Sequence, residues 1–289
     1  MFAALTLALA LAPAQADAVT LKWNLKPGDT FYSKNTTAIE MKIGVMGQMI
    51  DQKQDISAVM RYKVKAAAGD GLVIDLTYVD MQMKMTGPGA ADPSAVTNAL
   101  KGQTVTATVD KQYKVTKVDG HKKLVDDLAG GDAAAKAMLA AIISEDAVKQ
   151  MFSALFALTP DKPVKVGDTW TSEDAMDAGG IGKITAKSKF KLTKADAGDA
   201  TIDTTADMTF KAGDGEGLPF KITNAKFKIE KFAGSSVFDI KAGRLKESKS
   251  EMTMSGSMTV GVMGQEIDAT LTQKVKTTAT VTEKNPVKD

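Results

Sequence analysis

Apolar and polar residues alternate along most of the chain, which is the pattern of β-strands with one buried and one solvated face. Apolar residues occupy every second position over 39–45 and again over 56–64, with a turn at 46–48 between them. These segments predict a long hairpin. A second hairpin is predicted within 104–118, and further strands recur throughout the second half of the chain.

The alternation changes parity inside the third predicted strand. Apolar residues lie at even positions from 72 to 78 and at odd positions from Met81 to Met85. One extra residue in a strand turns every later side chain to the other face. We therefore predict a bulge or bend near Val79.

The motif Gly-Asp-Thr followed by an aromatic residue occurs twice, at 28–31 and at 167–170. Gly accepts a positive φ and an Asp side chain bonds its own backbone, so Gly-Asp predicts a tight turn. Thr and the aromatic residue then predict a strand anchored in the core. The two copies indicate two related β units.

A longer segment is also repeated, as GVMGQMID at 44–51 and GVMGQEID at 261–268. The two copies do not occupy equivalent places in the duplication. We interpret them either as recurring hairpin chemistry or as a sign that both hairpins meet in one sheet.

The period becomes helical from His121 onward, and the clearest helix spans 144–158. Ser144 is its predicted N-cap, and the acidic residues that follow suit the positive end of the helix dipole. An apolar stripe runs along it, formed by Val148, Met151, Phe152, Leu155 and Phe156. Such a stripe must be buried, and in a mainly β chain we expect it to pack on a sheet face.

These elements predict a mainly antiparallel β fold of the α+β type. Two related curved sheets are expected, with a helical segment between them that covers a sheet face. The predicted division is a first β unit at 19–120, a helical connection at 121–160 and a second β unit at 161–285, with one continuous domain as the alternative.

The amino-terminal residues 1–18 read as a signal peptide. An uncharged apolar run over 2–12 is followed by Ala16-Asp17-Ala18, a small-x-small cleavage site, so the mature chain is predicted to begin at Val19. About eleven residues are too few for the roughly 20 that span a bilayer. We expect export to the periplasm or the outside of the cell.

Composition argues against several classes of function. The 37 basic and 35 acidic residues nearly cancel, which gives no basis for a nucleic-acid partner. The rest of the sequence contains no long apolar run that would predict a transmembrane span. The absence of Cys excludes disulfides and a lipidated Cys. The single His, His121, is interpreted as a solvated residue at a helix start. No nucleophile motif, phosphate loop or metal-ligand spacing is present, so we expect no enzyme, cofactor or metal.

Methionine is unusually frequent, with 16 Met against 6% aromatic residues. Met is flexible and lines adaptable apolar surfaces, although it also fills irregular cores. The candidate ligand-binding residues combine the strand methionines with the helix stripe: Met81, Met83, Met85, Met151, Phe152, Leu155, Phe156, Met252, Met254 and Met258.

The segments PDKPVKVGDTW (160–170) and VFDIKAGRLKES (237–248), with a Met-rich closing hairpin, resemble an uncharacterised family of exported bacterial proteins. The resemblance implies no activity. In architecture the chain is similar to lipoprotein carriers of the LolA-like half-barrel type, which implies a curved sheet wrapped around helices and an apolar cavity.

Two functions are consistent with these features. The first is a cell-envelope protein that binds a lipid or other lipophilic ligand between sheet and helices. The alternative is a structural or interaction module of the envelope with a filled core. An open apolar space between the Met strands and the helix would favour the first, and a packed interior would favour the second.

Overall fold

The computed structural model describes residues 18–287 except 68, 89, 91, 178–181, 197, 214–220 and 263–264. The predicted signal peptide therefore lies almost wholly outside the described residues. Within them the strands are β1 (Thr30–Val45), β2 (Gln48–Ala66), β3 (Leu72–Thr86), β4 (Thr104–Val109), β5 (Val115–Asp119), β6 (Thr169–Asp177), β7 (Gly182–Ala195), β8 (Asp199–Ala212), β9 (Lys221–Asp239), β10 (Arg244–Val262) and β11 (Gln265–Thr282). The helices are α1 (Ser94–Leu100), α2 (His121–Ala129), α3 (Ala133–Ile142) and α4 (Glu145–Phe156). None of the described helices is long and apolar enough to cross a membrane.

All eleven strands form one antiparallel sheet in the order β5-β4-β3-β2-β1-β11-β10-β9-β8-β7-β6. The predicted antiparallel β fold is confirmed. Strands β1 to β5 come from the first predicted unit and β6 to β11 from the second, and β1 pairs with β11 at the centre. The hydroxyls of Thr36 and Thr278 meet across this seam at 2.6 Å.

The two Gly-Asp-Thr motifs form the same turn in the two halves of the sheet. Asp29 Oδ2 accepts a hydrogen bond from Lys26 N at 2.8 Å, and Asp168 Oδ2 accepts one from Lys165 N at 2.8 Å. Each turn also bonds a neighbouring strand through its glycine, which has φ +101° in the first copy and +99° in the second. The strands that follow begin at equivalent residues, as the repeat predicts.

The aromatic residue of each motif stacks on a cross-strand ring. Phe31 lies 4.9 Å from Tyr62, and Trp170 lies 5.7 Å from Phe190. Phe31 is buried and Trp170 is half-buried. Cross-strand aromatic pairs stabilise a sheet beyond the area they bury, so each motif fixes a turn and a pair of strands together.

The sheet curves around helix α4. Ser144 caps it as expected, accepting a hydrogen bond from Ala147 N at 3.1 Å. The helix contacts both β5 and β6, which are the two edge strands. One helix can touch both edges only if the sheet bends towards it, and Phe152 and Phe156 are buried in the resulting core.

An amino-terminal arm, residues 19–25, completes this core. Val19 exchanges two backbone hydrogen bonds with Val164, at 2.8 and 2.9 Å. Leu21, Trp23 and Leu25 alternate with exposed residues and are buried. The arm therefore acts as an inner β-like segment between α4 and the sheet.

The parity change in β3 is a β-bulge, as predicted. Val59 of β2 faces Asp80 and the next residue, Met60, faces Tyr78, so Val79 is the extra residue. The bulge keeps Met81 and the later methionines on the same face as Tyr78.

The first GVMGQ segment lies at the same end of the sheet as the described residues that flank the second, at the end of β10 and the start of β11. The β1–β2 turn and the start of β11 are brought together because Gly44 pairs with Thr270 and Val45 with Ala269. Of the two interpretations, the one in which both hairpins meet in one sheet is correct.

Candidate ligand-binding face

The inner face of the sheet is the one that carries the helices and the core residues Phe31, Val64 and Leu192. Near the helices its side chains are fully buried. Farther along the central strands, towards the GVMGQ turns, the inner-face apolar side chains are only half-buried. We call this second region the open field: Ile39, Met41, Ile43, Ile56, Met83, Met85, Phe227, Ile229, Met252, Met254, Met258, Leu271 and Val275.

Charge is strictly segregated between the two faces of the central strands. Among the described residues, every Lys, Arg, Asp and Glu of the distal halves of β1, β2, β3, β10 and β11 projects from the outer face. Directly opposed charges pair there, with Lys53 Nζ 3.8 Å from Glu40 and Lys276 Nζ 3.4 Å from Glu251. The open field is therefore apolar with a few amides, and electrically neutral.

A band of small hydroxyl side chains separates the core from the open field. We call it the hydroxyl belt: Ser33, Thr37, Thr204, Ser188, Ser236, Ser248, Ser250 and Thr277. Its members bond one another and their neighbours, with Ser33 Oγ donating to Asn35 Oδ1 at 2.9 Å and the Thr37 and Thr277 hydroxyls 3.3 Å apart. The belt is polar but carries no formal charge.

The structure divides the predicted ligand-binding residues into three groups. Five strand methionines belong to the open field: Met83, Met85, Met252, Met254 and Met258. Phe152 and Phe156 are buried in the core, and Met81 and Leu155 pack against it. Met151 is 43% exposed on α4. The methionines of β3 and β10 thus share a face, whereas the helix residues lie at the other end of it.

A cleft of about 710 Å³ lies between the arm, α4 and β6, outside the open field. Its walls include Trp23, Tyr113, Phe156 and Trp170. The indole Nε1 atoms of Trp23 and Trp170 are buried and lack a hydrogen-bond partner among the described residues. This cleft belongs to the packed end of the molecule, where aromatic rings replace the methionines of the open field.

Candidate catalytic and metal chemistry is sparse in the described residues. His121 begins α2, but it is only 9% exposed, so its interpretation as a solvated residue was wrong. The carboxylate of Asp196 stabilises a turn, because its Oδ1 accepts hydrogen bonds from Gly198 N and Asp199 N. Within the described ranges, no three His, Asp or Glu side chains converge on a possible metal position.

The titratable groups nearest the inner face are neutral tyrosines. Burial raises the pKa of Tyr62, with a further rise from Tyr78, and burial likewise raises the pKa of Tyr78. On the outer face the hydrogen bond from Lys101 holds the pKa of Asp80 below its usual value. The inner face therefore offers a neutral surface at physiological pH.

Two features of this face were missed from the sequence. Trp23 is 4% exposed and sits at the centre of the core, and the alternation of Leu21, Trp23 and Leu25 was the signal that could have found it. The hydroxyl belt could have been found as Ser and Thr at inner-parity positions of successive strands. The first signal is local but short, whereas the second becomes visible only when the pairing of distant strands is known.

Comparison with solved structures finds only weak likenesses. Lipovitellin, from a structure of lipid-protein interactions, matches 92% of this chain at 10% identity with a TM-score of 0.45, and this chain spans 26% of it. An outer membrane channel from Pseudomonas putida F1 matches 93% of this chain and 100% of its own length at 7% identity, with a TM-score of 0.27. The outer membrane protein OprG from Pseudomonas aeruginosa matches 92% of this chain at 7% identity, with a TM-score of 0.24. None of these likenesses bears on function.

Sequence comparison identifies a family. No curated protein matches it. The resemblance to lipoprotein carriers stays a prediction, whereas the resemblance to an uncharacterised family is confirmed. A family described as being of unknown function matches residues 69–285, about three quarters of the chain, and the chain therefore belongs to that family, DUF6263.

Proposed function

We propose that the protein is an exported, non-enzymatic protein of the cell envelope that binds a lipid or other lipophilic ligand on the open field. The observation that carries the proposal is a broad, half-buried apolar face without a formal charge on the central strands. Soluble monomers rarely leave a contiguous apolar patch of more than a few hundred Å² uncovered, and larger patches mark interaction sites.

The chemistry of the open field favours an aliphatic ligand over a protein partner. Its members are mostly Met, Ile, Leu and Val, and flexible Met side chains adapt to contents of variable shape. Protein interfaces concentrate their binding energy in Trp, Tyr and Arg, and none of these belongs to the open field. Alkyl chains lying along the strands would bury this surface without requiring a fixed partner shape.

The hydroxyl belt supports an amphiphile as the ligand. It borders the open field on the core side and supplies neutral donors and acceptors. A ligand with an alkyl part on the open field could place its polar part at the belt, where hydrogen bonds would replace those to water. The same neutrality argues against catalysis on this face, because it carries no carboxylate, lysine or histidine to transfer a proton.

The alternative, a structural or interaction module, is favoured by the filled core around α4. Phe152, Phe156 and Trp23 are all buried, so the space between helix and sheet is occupied by the chain itself. We therefore assign the ligand to the open field and not to the space beneath α4.

Leu271 offers a sharp test because it lies on the open field in the central strand β11, opposite Ile43 on β1. We expect Leu271→Asp to weaken the binding of the neutral probe Nile red at least about tenfold, since a charge there must be desolvated by the probe. The matched control is Thr272→Asp, one residue along and on the outer face, which should leave binding unchanged.

Native mass spectrometry of protein purified from its own envelope gives the independent readout. Co-purified lipid that is lost in Leu271→Asp and kept in Thr272→Asp supports the proposal. If the parent protein binds neither Nile red nor any extracted lipid, the ligand-binding proposal fails and the structural alternative stands.

A further inference from the structure

The GVMGQ end of the sheet presents apolar side chains directly to solvent. Met46 is 76% exposed and Met49 is 66% exposed, the two highest values among the large hydrophobic residues that the structure describes. Met46 is the first central residue of the β1–β2 turn, and Met49 is the second residue of β2. Both lie at the end of the sheet, beyond Ile43 of the open field.

Met46 occupies a backbone position that disfavours it. Met46 has φ 50° and Gly47 has φ 78°, so both central residues of this hairpin turn are left-handed. That turn strongly prefers Asn, Asp or Gly at its first central position, where a longer side chain is strained. Of the described non-glycine residues, only Met46 and Tyr113 have positive φ.

Packing explains Tyr113 but does not explain Met46. The Tyr113 ring contacts Trp23 and Phe156, and its hydroxyl accepts a hydrogen bond from Leu25 N at 3.0 Å. Met46 has no comparable burial. A strained residue whose side chain is left in water points to a contact outside the chain.

The first residues of β11 lie beside the β1–β2 hairpin, with Ala269 opposite Val45. A cleft of about 500 Å³ between the two is lined by Met46, Met49 and Ile267. We call Met46, Met49 and Ile267 the tip. Met49 lies opposite Gly44 on the outer face, whereas Ile267 lies opposite Val260 on the face of the open field, so the tip spans both faces at this end of the sheet.

The composition of the tip fits a lipid surface better than a protein. Neither 42–52 nor 265–270 contains Trp, Tyr, Phe or Arg, the residues that usually anchor a protein interface. The exposed charges around it are Lys42, Asp51, Glu266 and Asp268, one basic against three acidic. An anionic bilayer would repel this net negative charge, whereas a zwitterionic bilayer is compatible with it.

We propose that the tip contacts the surface of a zwitterionic lipid bilayer, so that the open field receives its ligand from the membrane. The ligand transfer rests on the proposed function, but the membrane contact itself does not. Met46 and Met49 enter the boundary between head groups and acyl chains, and the acidic neighbours stay in the head-group layer. The contact is weak and reversible because the inserted apolar surface is small.

Flotation with phosphatidylcholine vesicles tests the contact, using the double variant Met46→Asn, Met49→Asn. We expect the vesicle-bound fraction at limiting lipid to fall about tenfold. Asn is favoured at the left-handed position of Met46, so the turn should remain folded, and circular dichroism checks this. The matched control is Met151→Asn, which removes a 43% exposed methionine from α4 at the other end of the sheet and should leave flotation unchanged.

Two further outcomes decide the proposal. Addition of phosphatidylglycerol to the vesicles should reduce binding, and stronger binding to anionic vesicles would overturn the zwitterionic assignment. A parent protein that does not float, or a double variant that floats as well as the parent, would overturn the contact.

The same variants separate this inference from the proposed function. The tip double variant should still bind Nile red, and Leu271→Asp should still float with vesicles. If the parent protein floats with vesicles but does not bind Nile red, the proposed ligand binding fails and the membrane contact stands.

Discussion

Trp23 meets Phe238 edge-on, with ring centroids 5.5 Å apart and ring planes at 90°. Trp23 comes from the amino-terminal arm and Phe238 from β9 in the second half of the chain. Trp23 also meets Phe156 of α4 edge-on at 5.1 Å. One side chain therefore links the arm, the helix and the sheet.

Replacing Trp23 by Ala should lower the free energy of unfolding by about 3 to 5 kcal/mol, because a large buried side chain is lost and a cavity remains. Urea denaturation measures the effect. Trp170→Ala is the comparison, and it should cost less because Trp170 is half-buried. An equal or larger loss in Trp170→Ala would contradict the central place of Trp23.

Gly243 fixes the arm from the other side. It has φ +60°, and an added Cβ would lie 2.4 Å from Asn24 Cβ and 2.7 Å from Asn24 N. Gly243→Ala should therefore lower the free energy of unfolding by more than about 1 kcal/mol. Gly47→Ala is the control, since it also has positive φ but meets no atom within 4 Å. A larger cost in Gly243→Ala than in Gly47→Ala isolates the clash with the arm.

Large side chains should be tolerated in the open field and rejected by the core. Met83→Trp and Met254→Trp should change the free energy of unfolding little, because both methionines are only half-buried and lie on the open field. Ile202→Trp, at a fully buried position, should cost about 1 to 3 kcal/mol through overpacking. Thermal unfolding of the three variants checks this, and comparable losses in all of them would indicate that the open field is covered.

The pair formed by Asp80 and Lys101 predicts a dependence on pH. Their charged atoms lie 2.7 Å apart, and the hydrogen bond from Lys101 lowers the pKa of Asp80 in the folded state. The Asp80 carboxylate therefore binds a proton less tightly in the folded state than in the unfolded state. The stabilisation is fully present above the unfolded pKa of about 3.9 and is lost as the pH falls through the lower folded value.

Asp80→Asn should accordingly reduce the free energy of unfolding at pH 7 by about 1 kcal/mol or less, as expected for a partly exposed pair. The difference from the parent should shrink below about pH 4. Urea denaturation at several pH values measures it. A difference that stays constant down to pH 2.5 would exclude the ion pair as its source.

Processing at Ala18 can be tested directly. Amino-terminal sequencing of exported protein should read Val19-Thr20-Leu21. Val19 N donates to Val164 O at 2.8 Å, and a free amino group at that position can still make this bond. Retention of Met1 in exported protein would show that the signal-peptide prediction is wrong.

Local signals predicted much of the sheet and little of the site. The bulge at Val79 and the cap at Ser144 follow from short patterns, because one residue changes the parity of a strand or satisfies a helix end. Helical period also identified Phe152 and Phe156 as buried. It could not predict that Met151 is exposed, because that depends on where the edge of the sheet lies relative to α4.

The division between core, hydroxyl belt and open field could not be predicted for a related reason. Parity assigns Met254 and Ser250 to one face, but it does not say what covers that face. The burial of the core, the hydroxyl belt and the open field depends on how the sheet curves around α4, which contacts both of its edges. That curvature arises from contacts between segments more than 100 residues apart, such as Trp23 with Phe156.

Because β1 pairs with β11, the sheet can be completed only after all the other described strands have been synthesised. Every other strand pairs with a neighbour in sequence, whereas Thr36 and Thr278 are 242 residues apart. Closing so long a loop is entropically costly and slow. Until β11 is available, β1 and β10 are both unprotected edges with free backbone groups, open to pairing with other chains. The nascent protein therefore has four sheet edges to protect where the finished one has two.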